Sequence, residues 1–414
     1  MKRYCEYKDS GVKWIGEIPG HWKCCKLKYF TRIKSGDALT NNALSDTGKY
    51  KVYGGGDFMG FYDKYNVDAN TILIGRVGAR CGCVTITEEK AWATDNALIL
   101  IHFNINTKFL TYLLVAANLN SLSISNAQPL ITGSKVKDSF IPIPPIEEQE
   151  AIVTYLDSKV AKIDEYISIA EKKIAALEEL KQTIIAEAVT RGIHKDVPMK
   201  DSGVKWIGMI PEHWKVIRIK YIGKTIGGLT YTPEDITSEN NGVIVLRSSN
   251  IKENKLCFDD NVYVKKKLKE KDYIKQGDLL ICSRNGSADL VGKCAVIEEP
   301  IIAAFGAFMM VLRPTLTNNS KYVYYLSQVC IEKYKATFKT STINQLTNSL
   351  LGNIYSAYAD DVTEQQEIVT YLDSKVASIN QLCQTERAQI EKLKEYKQRL
   401  ISDVVTGKVK VMND

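Results

Sequence analysis

The chain repeats itself, and this repeat limits its architecture more than any other feature of the sequence. The segment Lys8–Gly16 recurs without a change as Lys200–Gly208, and Ile152–Ala161 recurs as Ile368–Ala377. The stretches between these repeated segments hardly match. Duplication followed by drift would spread the differences evenly, whereas here they are concentrated in two blocks. A constant frame with two dissimilar blocks indicates that the frame performs one mechanical task twice and that the blocks recognise two different things.

The longer repeated segments predict two long helices. No proline or glycine occurs in 147–191 or in 363–406, and Gly192 and Gly407 follow where helices commonly end. In both segments apolar residues recur mostly in alternating steps of three and four, which places them in one stripe along a helix. The residues of the predicted seam are Val153, Leu156, Val160, Ile163, Ile167, Ile174 and Leu177 in the first helix and Val369, Leu372, Val376, Ile379, Ile390 and Leu393 in the second.

Neither stripe can be left in water, so we predict that the two helices pack on each other; the alternative is that each packs only on its own block. The fold class is then α+β, with two mixed α/β recognition domains joined by two long antiparallel coiled-coil helices in a pseudo-twofold internal repeat. The chain ends where a further copy of Lys8–Gly16 would follow, so we expect the N-terminal copy to dock at the end of the second helix. The predicted segments are 1–145 and 200–362 for the blocks, 146–190 and 363–406 for the helices, 191–199 for a linker and 407–414 for a C-terminal tail.

Charge and cysteine usage narrow the class of ligand. The formal net charge is +7, and the excess of lysine and arginine lies in the two blocks, 1–145 and 200–362. Two basic blocks suit a polyanion held at two places, although a solvated surface can carry the same modest excess. Ten cysteines without a Cys-x-x-Cys pair predict reduced thiols and no metal site. We find no signal-peptide pattern and no apolar run of the roughly 20 residues that cross a bilayer, so we expect no membrane and a cytoplasmic location.

Both blocks read as mixed α/β, and their loops carry candidate ligand contacts. The apolar runs 71–78 and 278–286 each predict a strand that leads into a glycine turn, with Arg76 and Arg284 near the turn. Further strands are predicted at 96–101 and 307–312, and helices at 108–120 and 320–335. Arginine pairs bidentately with guanine, asparagine and glutamine pair with adenine, and small hydroxyls bind phosphate; an ordinary capped turn is the alternative for each residue. The DNA-contact candidates are Lys34, Arg76, Arg80, Ser134 and Lys135 in the first block and Arg247, Ser248, Asn250, Arg284, Asn285, Ser287, Asn344 and Gln345 in the second.

Taken together, these motifs make the chain resemble the specificity subunits of Type I restriction–modification systems. The residues that carry the resemblance are Gly11–Gly16 with His21-Trp22, their copies Gly203–Gly208 and His213-Trp214, the stretch Ile141–Gln149 before the first helix, and Gly277–Leu280 with Ser283–Gly286 in the second block. One departure is that 358–365, before the second helix, lacks the prolines of the first copy, which leaves open how rigidly the second block joins its helix.

The resemblance implies a non-catalytic subunit of a methyltransferase and endonuclease complex. Each block would be a target recognition domain that reads one half of a bipartite target in double-stranded DNA. The helices would set the spacer and dock two methyltransferase subunits, and restriction motor–nuclease subunits would join that core. S-adenosylmethionine, ATP and Mg are then expected on the partner subunits, with no cofactor on this chain.

Two other classes of function compete with this interpretation. For an enzyme with its own catalysis, we find neither the Asn- or Asp-Pro-Pro-aromatic signature of an adenine methyltransferase nor a Phe-x-Gly-x-Gly cofactor loop. The P-loop-like ending Gly223–Thr225 has Arg218 where the first glycine is required. The histidines form no constellation with cysteine or aspartate, and His21 and His213 belong to the repeated frame, which favours a packing role. A free-standing DNA-bridging structural protein without enzyme partners is the remaining alternative.

Overall fold

The computed structural model describes residues 3–123, 129–335 and 344–412. The chain divides into two compact units, unit 1 with residues 1–171 and 386–414 and unit 2 with residues 172–385. Each unit therefore contains one of the two blocks and a part of each long helix. The six-segment division of the sequence stays a prediction, because the compact units cut through the long helices and not at their ends.

Unit 1 contains a block of short strands and helices before its first long helix. Its strands are β1 (Tyr7–Asp9), β2 (Glu17–Pro19), β3 (Lys23–Lys26), β4 (Thr31–Ser35), β5 (Tyr50–Gly54), β6 (Asp57–Tyr62), β7 (Ile72–Gly75), β8 (Val84–Ile86), β9 (Ala91–Ala93), β10 (Ala97–His102) and β11 (Phe140–Ile143). Its helices are α1 (Thr107–Ala116), α2 (Gly133–Lys137) and the beginning of α3 (Ile146–Arg191).

The block of unit 1 contains two larger sheets besides the two-stranded ribbons β1-β2 and β11-β3. The larger is an antiparallel sheet in the order β4-β10-β7-β8, and the smaller has the order β6-β5-β9, with β5 and β9 parallel. The predicted strands 71–78 and 96–101 correspond to β7 and β10, whose central residues are buried. The predicted helix 108–120 is shorter, because α1 ends at Ala116 and Asn118 takes a left-handed conformation with φ of 46°.

Unit 2 has the same plan. Its strands are β12 (Met199–Asp201), β13 (Met209–Pro211), β14 (Lys215–Arg218), β15 (Gly223–Gly227), β16 (Ile236–Thr237), β17 (Val243–Leu246), β18 (Ile251–Lys252), β19 (Lys255–Leu256), β20 (Tyr263–Val264), β21 (Leu279–Cys282), β22 (Arg284–Asn285), β23 (Cys294–Val296), β24 (Ala303–Phe305), β25 (Met309–Pro314), β26 (Asn344–Gln345) and β27 (Tyr355–Tyr358). Its helices are α4 (Ser320–Tyr334), α5 (Asn348–Asn353) and the beginning of α6 (Val362–Val405). The main sheet runs β15-β25-β21-β23, and in the second sheet β17 is parallel to β24, as β5 is to β9.

The long helices pack on each other in each unit, and every predicted seam residue is buried or half-buried. In unit 1, Leu156 of α3 belongs to the same apolar core as Val404 of α6, and Lys397 Nζ lies 2.6 Å from Asp164 Oδ1. In unit 2, Leu372 of α6 shares a core with Val189 of α3. At the positions equivalent to Lys397 and Asp164, the Lys181 ammonium donates to Asn380 Oδ1 at 3.2 Å. The predicted packing of the two helices is confirmed, whereas the interlocking detail of a coiled coil stays a prediction.

The N-terminal repeated segment docks at the end of α6, as expected. The Tyr7 hydroxyl donates to the Gly407 carbonyl at 3.1 Å, and Trp22 is fully buried in the core that includes Val404. Gly407 has a φ of 77°, and a β-carbon there would lie 2.4 Å from the Pro19 ring. Only glycine fits this position, so the end of the helix and the docking of the N-terminal segment depend on the same residue.

The first turn of each long helix carries a Glu-Gln pair, with the glutamine buried and the glutamate half-buried, that contacts the block. Glu148 accepts hydrogen bonds from the Trp22 indole at 2.9 Å and the Tyr4 hydroxyl at 3.0 Å and contacts His21. The copy, Glu364, accepts from the Trp214 indole at 2.9 Å. His213 Nε2 lies 3.0 Å from the same carboxylate, so both repeated histidines have the packing role that the sequence favours.

The glutamines Gln149 and Gln365 bind backbone groups of the blocks. Gln149 accepts from the amide of Asn106, which caps α1, and donates to the Pro144 carbonyl. Gln365 accepts from the amide of Asn319, which caps α4, and donates to the Ala359 carbonyl. The second block is therefore joined to its helix by the same contacts as the first, although no proline precedes α6.

Candidate DNA-binding surface

In unit 2 the structure brings distant candidate residues onto one short ribbon. Strand β22 pairs with β26, so that Arg284 lies opposite Gln345 and Asn285 opposite Asn344. The Arg284 guanidinium donates to Gln345 Oε1 at 2.8 Å, and Asn344 Nδ2 donates to the carbonyl of Gly286 at 3.2 Å. Arginine and amide side chains thus lie side by side at the end of the main sheet. Residues 336–343, which precede Asn344, lie outside the described part of the chain.

A second loop joins this ribbon. Asn285 Nδ2 donates to Ser248 Oγ at 3.5 Å, and Asn285 Oδ1 accepts from the amide of Ser287 at 3.0 Å. Arg247 forms an ion pair with Asp260 at 2.8 Å, and its Nε is buried without a partner among the described residues. These contacts gather the second-block candidates into one cluster, which we call the unit 2 reading cluster: Arg247, Ser248, Arg284, Asn285, Ser287, Asn344 and Gln345.

Asn250 does not belong to this cluster, contrary to the prediction. It is fully buried, and its amide donates to the carbonyls of Cys257 and Asp260, while its Oδ1 accepts from the amide of Arg247. All of these contacts close its own loop, so its side chain is not available to a ligand. Asn250 is a turn residue, the alternative that the sequence left open.

Phe308 is a surface residue that the sequence analysis missed. The predicted buried strand 307–312 begins only at Met309, and the Phe308 side chain is 60% exposed. The Arg284 guanidinium lies 5.8 Å from the centre of its ring, and the amide of Arg284 donates to its carbonyl at 3.1 Å. The only sequence signal is Gly306, two residues before it, which marks a turn. Phe308 therefore supports the arginine and presents an apolar face beside it.

In unit 1 the equivalent region has different side chains. Arg76 directly follows β7, and its Nη1 donates to the hydroxyl of Ser35 at 3.4 Å, next to Lys34 at the end of β4. Like Arg247, Arg76 has a buried Nε without a partner among the described residues. Ser134 and Lys135 lie in the first turn of α2, which packs on β4 through Gly133 and Ile33. Lys34, Arg76, Ser134 and Lys135 form the unit 1 reading cluster.

Arg80 faces a different partner from Arg76. It forms an ion pair with Asp57 of β6 at 2.7 Å, and both side chains are about half exposed. Lys135 is also engaged, because its ammonium donates to the carbonyl of Leu122 at 3.2 Å. The residues 124–128 that follow Leu122 lie outside the described part of the chain.

A buried ion pair supports the sheet below the unit 2 reading cluster. Arg313 donates from Nε and Nη2 to the two carboxylate oxygens of Asp278 at 2.8 and 2.7 Å, and the Asp278 side chain is 1% exposed. The hydrogen bond to Asp278 raises the pKa of Arg313, so the arginine stays charged. The pair joins the end of β25 to the start of β21, the strand that leads to Arg284.

Both clusters present hydrogen-bond donors and acceptors at strand ends, on a short ribbon and in the first turn of a helix. Arginine, lysine, amide and hydroxyl groups of this kind bind base edges and phosphates. Across residues 3–123, 129–335 and 344–412, no group of three or more His, Cys, Asp or Glu is placed to hold a metal ion, and all ten cysteines are free. Within the same ranges, no helix is long and apolar enough to cross a membrane.

Two units of one topology, each with a loop cluster at the end of its main sheet, define a duplicated recognition scaffold built on two long helices. The family model of the Type I restriction modification DNA specificity domain matches residues 19–179 and again residues 211–392. These matches span most of the chain, so the chain belongs to this family, and recognition of DNA sequence is its role.

Individual relatives agree with the family. The Type I restriction enzyme MjaVIII specificity subunit of Methanocaldococcus jannaschii is 21% identical over 418 residues, which cover 99% of this chain and 91% of that protein. The EcoprrI specificity subunit of Escherichia coli is 32% identical over 162 residues, 38% of this chain and 40% of that protein. A solved chain from a study of complex assembly and conformational transition of the type I R-M system has the same fold, with a TM-score of 0.69, 16% identity, and coverage of 95% of this chain and 99% of that one.

Proposed function

We propose that each unit reads one half of a bipartite target in double-stranded DNA. The observation that carries this proposal is the contrast between frame and loops. The two units share the order of their main sheet and the Glu-Gln contacts of the long helices. The chain segments that follow the equivalent strands β7 and β21 differ, with Arg76 beside Ser35 in unit 1 and Arg284 beside Gln345 in unit 2. Two units with the same supporting strands but different side chains at the candidate DNA-binding surface suit two different half-sites.

A block exchange tests the modular reading. Replacing 200–362 by the corresponding block of another specificity subunit should change one half of the recognised sequence and leave the other unchanged. Sequencing of the modified sites in the host genome gives the result, and a change in both halves would contradict the proposal.

Point variants test the unit 2 reading cluster. Arg284→Ala and Gln345→Ala should each weaken binding to the target by about 5- to 150-fold, the equivalent of about 1–3 kcal/mol for a base contact, and leave binding to unrelated DNA nearly unchanged. Gln276→Ala is the matched control, because Gln276 is exposed and donates only to the Glu298 carbonyl before β21. Equal losses on target and unrelated DNA would remove these residues from base reading.

The proposal assigns the spacer to the long helices. Inserting four residues at equivalent positions of α3 and α6 lengthens each by about 6 Å, which corresponds to roughly two base pairs. The spacer in the recognised sequence should lengthen accordingly, and an unchanged spacer would show that helix length does not measure it.

The proposal also assigns catalysis to partner subunits in the cytoplasm. The chain would bind two methyltransferase subunits and, through them, restriction motor–nuclease subunits, so that S-adenosylmethionine, ATP and Mg are bound by the partners. Family membership disfavours the alternative of a free-standing DNA-bridging protein. Co-purification from the host with a methyltransferase, and methylation of the target only by the complex, are the expected results; methyl transfer by the isolated chain would contradict the assignment.

A further inference from the structure

Each unit exposes a second cluster of side chains, and this one belongs to the repeated frame. We call the two clusters the frame patches: Lys26, Lys28, Tyr29 and Phe140 in unit 1, and Arg218, Lys220, Tyr221 and Tyr355 in unit 2. Their members correspond one to one. In both units the first residue of one ribbon strand is aromatic and lies opposite a cationic residue of the other strand. Phe140 of β11 pairs with Lys26 of β3, and Tyr355 of β27 pairs with Arg218 of β14.

The aromatic rings of both patches lie in water beside charged groups. Tyr29 is 63% exposed and Tyr221 68%, whereas the repeated tryptophans Trp22 and Trp214 are fully buried. The Lys28 ammonium lies 5.8 Å from the centre of the Tyr29 ring, and the Lys220 ammonium lies 5.5 Å from that of Tyr221. Neither ring contributes to a core, so packing does not account for them.

Each patch already holds an oxygen atom between its two cations. In unit 1, Asp138 Oδ1 accepts from Lys26 at 3.2 Å and from Lys28 at 3.4 Å. In unit 2, Asn353 Oδ1 takes the same place and accepts from the guanidinium of Arg218 at 3.4 Å and from Lys220 at 3.1 Å. The geometry is that of a two-pronged holder for an oxygen, occupied by a carboxylate in one unit and by a neutral amide in the other.

The patches lie one short helix away from the reading clusters. Helix α2 begins beside Ser134 of the unit 1 reading cluster and ends directly before Asp138. Helix α5 begins shortly after Gln345 of the unit 2 reading cluster and ends at Asn353. Helices of this length extend about 7–9 Å at 1.5 Å per residue. A ligand that reaches along the surface from a reading cluster can therefore touch the frame patch of the same unit.

We propose that both frame patches bind phosphate groups of the DNA backbone beside each half-site. This inference rests on the proposed function. The reading clusters differ because the half-sites differ, so a surface that is kept in both copies must meet a feature that both half-sites share. The sugar–phosphate backbone is that feature, and lysine, arginine and tyrosine hydroxyl groups are its usual contacts. The frame patches thus orient each unit on the duplex without reading sequence.

The exchange of Asp138 for Asn353 makes the two patches unequal. Lys26, followed by Lys28, lowers the pKa of the Asp138 carboxyl, so this group is ionised at neutral pH and competes with phosphate for the same cations. Asn353 offers no such competition. The unit 2 patch should therefore bind the backbone more tightly than the unit 1 patch. Placing the residue of one patch in the other, as Asp138→Asn or Asn353→Asp, tests this difference.

The test uses the full-length chain with whatever subunits co-purify with it, on a duplex with the target and a duplex without it, over a range of salt concentrations. Arg218→Gln with Lys220→Gln should weaken binding to both duplexes by the same factor. If two phosphate contacts are lost, the slope of log affinity against log salt falls by about 1.8, so the affinity lost between 50 and 200 mM salt shrinks roughly 12-fold. Asp138→Asn should tighten binding to both duplexes, and Asn353→Asp should weaken it.

Controls separate the possible outcomes. Lys13→Gln with Lys205→Gln removes the same charge from exposed lysines of the repeated β1–β2 and β12–β13 connections, and should leave affinity and slope nearly unchanged. An equal effect of this control, or no effect of Arg218→Gln with Lys220→Gln, overturns the proposal. Loss of a co-purified subunit with unaltered DNA binding overturns it in favour of a protein-docking surface. If the unaltered protein does not distinguish the two duplexes, the proposed function fails, independently of the frame patches.

Discussion

Gln365 offers the most direct test of how a block is held on its helix. Its side chain is fully buried, with Oε1 accepting from the Asn319 amide at 2.9 Å and Nε2 donating to the Ala359 carbonyl at 2.8 Å. Replacing Gln365 by alanine leaves both backbone groups without a partner. Each buried group left unsatisfied costs about 1–3 kcal/mol, so we expect Gln365→Ala to lower the free energy of unfolding by about 2–6 kcal/mol.

Chemical denaturation followed by tryptophan fluorescence measures this loss, because Trp214 is fully buried in the same unit. Gln381→Ala is the matched control: Gln381 is exposed on the same helix, so its replacement should change stability by no more than about 0.5 kcal/mol. Hydrogen exchange of the first amides of α4 should also speed up in Gln365→Ala, since Asn319 caps that helix. Equal denaturation midpoints for Gln365→Ala and Gln381→Ala would refute the reasoning.

Gln365→Glu adds a test by pH. Protonated, the new carboxyl can still donate to the Ala359 carbonyl; ionised, it places a buried charge against that oxygen. Burial therefore raises its pKa in the folded state above the ordinary value of about 4.3. A group with a raised folded pKa stabilises fully only below its unfolded pKa, and this contribution is lost as pH rises through the folded pKa. Gln365→Glu should thus be closest to the unaltered protein near pH 4 and lose stability towards pH 7, and a difference that does not vary with pH would contradict the assignment.

Three further predictions follow from buried groups elsewhere. Arg313→Leu leaves the buried Asp278 carboxylate unpaired and should cost about 3–5 kcal/mol in denaturation experiments, whereas a loss below 1 kcal/mol would mean that the pair is dispensable. Gly407→Ala should destabilise unit 1 by more than about 1 kcal/mol beyond Gly11→Ala, because both glycines have φ near 70–77° but only Gly407 would press a β-carbon against Pro19; equal melting temperatures would show that the contact relaxes. Burial raises the pKa of the Cys294 thiol to about 12, so this cysteine should resist alkylation of the folded protein at pH 8 while the exposed Cys5 reacts, and equal labelling by mass spectrometry would argue against the burial.

The long helices could be predicted because their signals are local. A run without glycine or proline, an apolar stripe and a terminal glycine together predicted helices at 146–190 and 363–406, and the structure has α3 at Ile146–Arg191 and α6 at Val362–Val405. The stripe also predicted their packing, since two exposed apolar seams of similar length are both removed from water when they pack on each other.

The polar contacts between block and helix were missed, because they join residues far apart in the chain. Asp157 of α3 accepts from Lys108 at 2.6 Å and from Tyr112 at 2.7 Å, both on α1. At equivalent positions, Asp373 accepts from Lys321 and Tyr325 of α4. A lysine four residues before a tyrosine occurs in both blocks, so a search for spaced pairs within the dissimilar blocks would have found this signal. A comparison of the blocks one residue at a time could not find it.

The reading clusters show the opposite limit of sequence reasoning. Residue type selected the candidates, but it could not tell Asn250, which closes its own turn, from Asn285, which lies on the ribbon of β22 and β26 and contacts Ser248. Phe308 is exposed, but it lies in an apolar run of the sequence, so residue type predicted it to be buried. Side-chain direction in a loop depends on which other loop lies beside it, and that neighbour comes from a distant part of the chain.

The structure suggests why one frame can carry such different loops. Strand β5 ends at Gly54 and the chain then turns through Gly55 and Gly56, whereas after the equivalent β17 it turns through Arg247 and Ser248. In unit 1 the turn lies so close to β7 that a β-carbon on Gly75 would be 2.1 Å from the Gly55 carbonyl, while in unit 2 the turn is wide enough for an arginine to reach Asp260. The supporting strands keep their order in both cases. Because the buried contacts are made by the strands and the long helices, the loops are free to change in size and charge, and a new reading surface costs the fold little stability.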